Sequence, residues 1–202
     1  MTFLVLSQIL NGLAIGMLYA LMAVGLTLIL GVLNIPNFAH GVLYALGAYF
    51  TYTISELTGS FYVAILVAPF LVVLVGFVLE SQGIKRLYQA HHDYQLLFLF
   101  AVALILQEVI IIVWGPVGFS VLPPAALSGA VDLGLLVYPK YRLALVVFSA
   151  LVIFSLYFFL TRTNLGAILR AGIENREMVT VLGIDINKVF FLTFGLGAYL
   201  AG

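Results

Sequence analysis

The sequence predicts an all-α fold, a polytopic bundle of transmembrane helices, on three observations. Only 8% of its 202 residues are charged and 64% are hydrophobic. A soluble domain carries about 25% charged residues, so the solvent around most of this chain is lipid. Apolar runs of the length a bilayer requires, about 20 residues each, recur from end to end. They are apolar on every side rather than along one stripe, as in helices set in lipid or buried in a bundle. The alternating segments of a membrane β-barrel are absent.

The runs fall at roughly 3–31, 38–55, 61–80, 95–114 and 141–160, with a sixth starting near Val189. The first lacks the basic flank of a cleavable signal peptide and reads as a retained span. The sixth is still apolar at Gly202 and too short to span comfortably, which predicts that the chain is a fragment of a longer bundle. Lys plus Arg and Asp plus Glu both number 8, so net charge offers no attraction for nucleic acid. With no cysteine there is neither a disulfide framework nor a thiolate metal site.

Basic residues set orientation, being enriched in inner loops. The 81–94 loop carries Lys85 and Arg86, and the 161–188 loop carries Arg162, Arg170, Arg176 and Lys188. The 115–142 stretch has only Lys140 and Arg142, and its Pro and Gly residues predict irregular structure on the outer side. Two placements remain for Met1. It is outside if residues 34–41 form an inner loop, and inside if they dip into the membrane from outside.

That octet, "NIPNFAHG", interrupts two apolar runs. Pro36 cannot continue a helix, and it pushes Ile35 towards extended geometry. The first helix should therefore stop near Val32 and a second restart at about Pro36 or Asn37, with Asn34 and Asn37 as candidate caps. A short aqueous turn would explain this. So would a discontinuous helix, because backbone left unpaired in a bilayer persists where protein or a water-filled path satisfies it. After the break, Gly41, Ala45 and Ala48 lie roughly on one helix face suited to close packing, with Gly47 beside it. Gly12 and Gly16 have the GxxxG spacing of a packing face.

Within the fourth run, Glu108 is expected to face the bundle or a wet cavity, since an acid at mid-helix costs about 2.5–3.5 kcal/mol to insert. Its neighbour Gln107 points elsewhere and reads as a link between helices. The "HHD" at 91–93 reads as a solvated turn, because adjacent side chains diverge and no further ligand lies close in sequence. There is no phosphate-binding loop, dinucleotide fingerprint, nucleophile elbow or HExxH motif. An enzyme built on His40 or His91 would need more polar residues converging there, and the sequence supplies none.

The 161–188 segment is the one sizeable hydrophilic stretch on the basic side. Thr163 or Asn164 can cap a helix through "LGAILRAG", a second follows as "ENREMVTVL", and Gly183 suits its C′ position. Asp185 or Asn187 can cap the next span. Apolar Leu165, Ile168, Leu169, Val179 and Leu182 alternate with Arg170, Glu174, Arg176 and Glu177. Such a helix can rest on lipid or lie in a partner's groove, and its mixed charges favour the groove.

Here the chain resembles a known family. Glu177, Met178, Val179 and Gly183 keep the spacing of the E-A-A-x-x-x-G loop by which ABC importer permeases engage their ATPase, with Met and Val in place of the two alanines. More specific are "TRTNLGAILRAGIENREMVTVLGID", "LNIPNFAHGVLYALGAY" and "LILQEVIIIVWGP". Together they are similar to the permeases of high-affinity branched-chain amino acid ABC transporters, the first of the two membrane subunits, in order from Gln8 to Gly202.

The resemblance implies an ABC importer permease with a discontinuous second membrane segment. Residues 1–202 would be a single permease domain of about six spans, with 161–188 its cytoplasmic ATPase-coupling loop. It also implies the partners: a second permease subunit, two cytoplasmic ATPases that bind the ATP, and a periplasmic or extracellular binding protein, at a bacterial or archaeal plasma (inner) membrane. The candidate substrate path is Asn34, Asn37, His40, Gly41, Gln107 and Glu108. The candidate coupling residues are Arg170, Glu174, Asn175, Arg176, Glu177 and Gly183. The family also handles urea, short amides and other small solutes. The rival reading is a stand-alone channel or proton-coupled transporter in which Glu108 and His40 relay protons.

Overall fold

The computed structural model describes all residues except Met1, Ile35, Gln89, Leu133, Leu135 and Leu136, and of Thr2, Phe3, Val32, Leu33, Arg176 and Glu177 the backbone alone. Each of the six apolar runs is a helix: α1 (Thr2–Leu33), α2 (His40–Thr58), α3 (Phe61–Gln82), α4 (His92–Trp114), α5 (Lys140–Arg162) and, after two short helices α6 (Asn164–Glu174) and α7 (Arg176–Val181), α8 (Ile186–Ala201). Four of them, α1, α3, α4 and α5, are long and apolar enough to cross a membrane. The 19-residue α2 is diluted by threonine, tyrosine and Glu56, and α8 has 16 residues.

The loops define two ends. At one, Ile173 of α6 lies against Gly31 near the end of α1, and the 3₁₀ turn Ile84–Leu87 shares a hydrophobic cluster with Leu99, Leu169, Phe190 and Phe194. This is the end that carries the basic loops. At the other, Asn11 accepts hydrogen bonds from Tyr138 at 3.1 Å and from Arg142. The N-terminal part of α1 therefore lies with the 115–142 stretch, opposite the basic end. That stretch is irregular, as expected, but it also contains a small antiparallel pair, β1 (Ala130–Asp132) with β2 (Val137–Pro139).

Helix α8 enters the centre of the bundle by way of glycines. A Cβ on Gly197 would collide with the Ile29 side chain and sit 3.0 Å from the Gly25 carbonyl oxygen, while one on Gly76 would come 2.8 Å from Ala198 Cβ. Small residues at such crossings let backbones approach and gain dispersion contacts where lipid offers no hydrophobic drive. Leu43, Leu46, Val72, Ile110, Ala198 and Ala201 form the core where α2, α3, α4 and α8 meet.

The small residues expected to pack on α2 do so differently. Gly41 and Ala48 are exposed, and it is Gly47 that meets α8, where a Cβ would come 2.7 Å from Gly202. Successive helical positions are 100° apart, so Gly47 and its neighbour Ala48 present different faces. A Cβ added at Gly12 or Gly16 would meet nothing from another helix within 4 Å among the described residues. Their face is open within this chain.

Replacing Gly197 by alanine should overpack the α1–α8 crossing, a cost of about 1–3 kcal/mol. Thermal unfolding of the detergent-solubilised protein should show a lower midpoint for Gly197→Ala and no loss for Gly12→Ala. Equal midpoints for the two variants would contradict the packing described.

Candidate functional site

The sequence places a helix stop before Pro36, and local chemistry shows how it is made. Asn34 adopts φ 56° and donates its amide to the Leu30 carbonyl at 2.8 Å, so it closes α1. Asparagine tolerates this left-handed geometry better than most residues. It is thus a C-terminal cap rather than a cap of the helix that follows. Asn37 does act at the next N-terminus: its Oδ1 accepts from the Ala39 amide at 3.1 Å, and its carbonyl accepts from the His40 amide at 3.1 Å. These turns delay α2 to His40, three or four residues past the expected restart, because the side chain of Asn37 competes for amides that a helix would use. Ile35, expected to be extended, lies outside the described residues.

The break does not stay at the end of α1. His40 Nε2 donates to the Met22 carbonyl at 3.1 Å. Met22 precedes Leu33 by eleven residues, which at 1.5 Å per residue is about 16 Å back along α1. His40 therefore lies well inward of the basic end, and α2 starts deep in the bundle. The Gly25 backbone leaves room for the ring: a Cβ there would stand 3.2 Å from His40 Cε1 and 3.2 Å from the Gly197 carbonyl.

Asn37 and His40 are 4% and 2% exposed. Since a carbonyl only accepts, Nε2 carries the proton and Nδ1 is left as an acceptor. That Nδ1 and Asn37 Nδ2, a donor, are both buried without a partner among the described residues. Unmatched buried groups of this kind cost about 1–3 kcal/mol each unless something binds them. The break thus offers one donor and one acceptor to a small polar molecule, water included. Asn34 and Gly41, in contrast, are exposed.

Gln107 and Glu108 are not part of this cluster. Both are exposed on α4, whose inward stripe is Leu99, Val102, Leu106 and Ile110. Glu108, expected to face the bundle or a wet cavity, lies on the exposed face of this single chain: at 100° per residue, position 108 falls about 160° from position 110. Among the described residues, the acid that is buried is Glu80, 2% exposed, with Oε1 accepting from Tyr88 at 2.6 Å. Gln95, also buried, donates Nε2 to the carbonyls of Leu87, at 2.6 Å, and Ala90, at 3.2 Å. The sequence hides this pair because the acid closes an apolar run and its partner follows in a loop. Ser149 is also fully buried and unmatched among the described residues, on a span with no other signal.

The 161–188 segment takes the caps expected at Thr163 and Asp185, with a further cap at Asn175 that starts α7 at Arg176 rather than at Glu174. Thr163 Oγ1 accepts from Gly166 N at 3.0 Å, Asn175 Oδ1 from Met178 N at 3.0 Å and Asp185 Oδ1 from Asn187 N at 3.0 Å. Gly183, with φ 80°, donates to Thr180 O at 2.9 Å, and Ile184 donates to Val179 O at 3.3 Å, which closes α7. Leu169 and Val179 are buried, whereas Leu165, Ile173, Met178, Val181 and Leu182 are exposed. Arg170 donates to the Leu160 carbonyl and binds α6 back to α5; Glu174 and Asn175 are exposed. Arg176 and Glu177 lie in α7, their side chains outside the described set. At the "HHD" turn, His91 and Asp93 are exposed, 3.3 Å apart, with His91 Nδ1 capping α4.

Comparison with known proteins agrees with this arrangement. The profile of the family described as branched-chain amino acid transport system, permease component, matches residues 8–202. The chain belongs to this family. It is a multi-pass membrane protein and a transport permease component. It is 29% identical over 208 residues to the high-affinity branched-chain amino acid transport system permease protein BraD of Pseudomonas aeruginosa, covering 97% of this chain and 68% of that one. The permease protein LivH of Escherichia coli K12 is 26% identical, again over 97% and 68%. A probable branched-chain amino acid transport permease protein LivH of Methanocaldococcus jannaschii is 27% identical over 92% of this chain and 60% of its own. No solved structure matches.

Because the chain has no cysteine, single replacements can report the burial of the break. An aqueous maleimide should label Asn34→Cys at least tenfold faster than His40→Cys. Equal rates would contradict an embedded His40.

Proposed function

We propose that this chain is a membrane subunit of an ABC importer that moves leucine, isoleucine or valine inwards and performs no bond chemistry itself. The observation that carries the reading is the embedded break, with Asn37 and His40 presenting an unmatched donor and acceptor about 16 Å inside the end of α1. Family membership supplies the transport class, and the relatives' printed substrates supply the solute.

The basic end, 81–94 and 161–188, is the cytoplasmic side by the excess of Lys and Arg. Two ATPase subunits dock there, bind the ATP and drive the cycle. The fit is chemical: Met178, Val181 and Leu182 are 58%, 81% and 71% exposed at an aqueous surface, which suits a short helix laid in a partner's groove. Arg170, Glu174, Asn175, Arg176, Glu177 and Gly183 frame that element. On the outer side a periplasmic or extracellular binding protein delivers the solute, and the location is a bacterial or archaeal plasma (inner) membrane.

The second permease subunit belongs against the exposed face of α4. An acid such as Glu108, set within an apolar span, needs protein rather than lipid beside it. The path then runs along the break, with Asn34 and Gly41 flanking it and Gln107 and Glu108 at the subunit boundary. A proton relay between Glu108 and His40 is disfavoured, since one is on the exposed face of α4 and the other is buried between α1 and α8.

Reconstituting the full-length subunit with its second permease, ATPases and binding protein should give ATP-dependent uptake of leucine, isoleucine and valine into vesicles. Uptake by this subunit alone, driven by a proton gradient, would overturn the reading; uptake of urea or an amide in their place would correct the substrate. Val181→Asp, at an exposed position, should reduce ATPase co-purification at least tenfold and leave solute affinity of the binding protein unchanged. Undiminished co-purification would remove α7 from the docking surface.

A further inference from the structure

A cavity of about 510 Å³ opens at the end of the bundle opposite the basic loops, among α2, α3, α5 and the 118–121 stretch. That volume is within the range of small-molecule sites, about 300–1,000 Å³. Its walls are aromatic: Tyr44, Tyr49, Tyr52, Phe61, Phe119 and Tyr141 all line it. Phe119 stacks on Tyr52 with ring centres 4.3 Å apart and meets Tyr49 edge-on at 6.4 Å, while Phe61 meets Tyr141 at 6.4 Å. Among the described residues, no charged side chain lines the cavity.

Its position connects it to the break. His40, Tyr44, Ala48 and Tyr52 follow one another at four-residue spacing along α2, and the last three line the cavity. The inner wall therefore begins four residues, about 6 Å, beyond His40. At its floor Gly47 meets Gly202 closely enough to exclude any side chain.

We propose that this cavity is a loading site for a small zwitterionic amino acid with an aliphatic side chain. The proposal rests on the importer reading above. Aromatic faces attract an ammonium group through their quadrupole and also cover an aliphatic side chain, while tyrosine hydroxyls can donate to the carboxylate. With no arginine or lysine to clamp that carboxylate, the site holds its ligand loosely. A station on a transport path requires this, since the solute must enter and also leave. Phe119, stacked on Tyr52 from the 118–121 stretch, closes the cavity on the outer side.

The test uses the reconstituted complex with its binding protein. Ala48→Trp places an indole in the cavity from an exposed position and should lower leucine uptake at least tenfold, while binding-protein-stimulated ATPase activity stays within twofold. In parallel, a diazirine analogue of leucine supplied to the unaltered complex should label peptides containing Tyr44 to Tyr52, Phe119 or Tyr141. Normal uptake by Ala48→Trp, or labelling that leaves those peptides unmarked while uptake proceeds, would overturn the loading site and leave the importer reading standing. If the unaltered complex imports no amino acid, the importer reading fails, and with it this site.

Discussion

Polar backbone cannot be left open in a low-dielectric interior, and the structure depends on how the chain meets that constraint between α1 and α2. Every local bond in the break has this purpose. Asn34 returns its amide to Leu30, Asn37 occupies the amides of Ala39 and His40, and His40 attaches its ring to the Met22 carbonyl. A helical carbonyl retains a second lone pair, so α1 supports the ring without giving up its own ladder. Polar groups that remain unmatched, Asn37 Nδ2 and His40 Nδ1, are then the places where a passing solute or water can compensate the cost.

The rest of the bundle is arranged around that anchor. Gly25 and Gly197 bring α1 and α8 together beside the His40 ring. From there α8 runs to the basic end, where Val189 and Phe190 join Leu169 of α6 in one hydrophobic cluster. The proposed coupling segment and the break thus share an element: the helix that packs on α6 at its start meets α1 at Gly25, beside the His40 ring, near its end. Opposite, the aromatic cavity begins four residues beyond the same histidine. The proposed solute path and the proposed drive surface would meet at α8 and the first turns of α2.

Local chemistry was legible in the sequence. The stop before Pro36 and the caps at Thr163 and Asp185 involve partners within a few residues, as does Gly183 at φ 80°, and short-range rules describe such contacts well. What could not be read was which small residue meets which helix. Gly47 and Gly197 prove to be the close contacts, while Gly12, Gly16 and Gly41 face open space, because helix–helix contacts are set by packing across distant parts of the chain. The same limit concealed the Glu80–Tyr88 pair and left the direction of Glu108 to an energetic argument. That argument holds for a complete assembly, not for one chain taken alone. The depth of the break was also hidden, since composition shows that a helix stops and not where the next one starts in space.

Depth is therefore the quantity to measure. A cryo-EM structure of the assembled transporter in lipid nanodiscs would place residues 34–41 directly relative to the bilayer. The account predicts His40 about 16 Å inward from the end of α1, its ring hydrogen-bonded to the Met22 carbonyl. An octet lying at headgroup level, with His40 in water and α2 starting level with the end of α1, would contradict it.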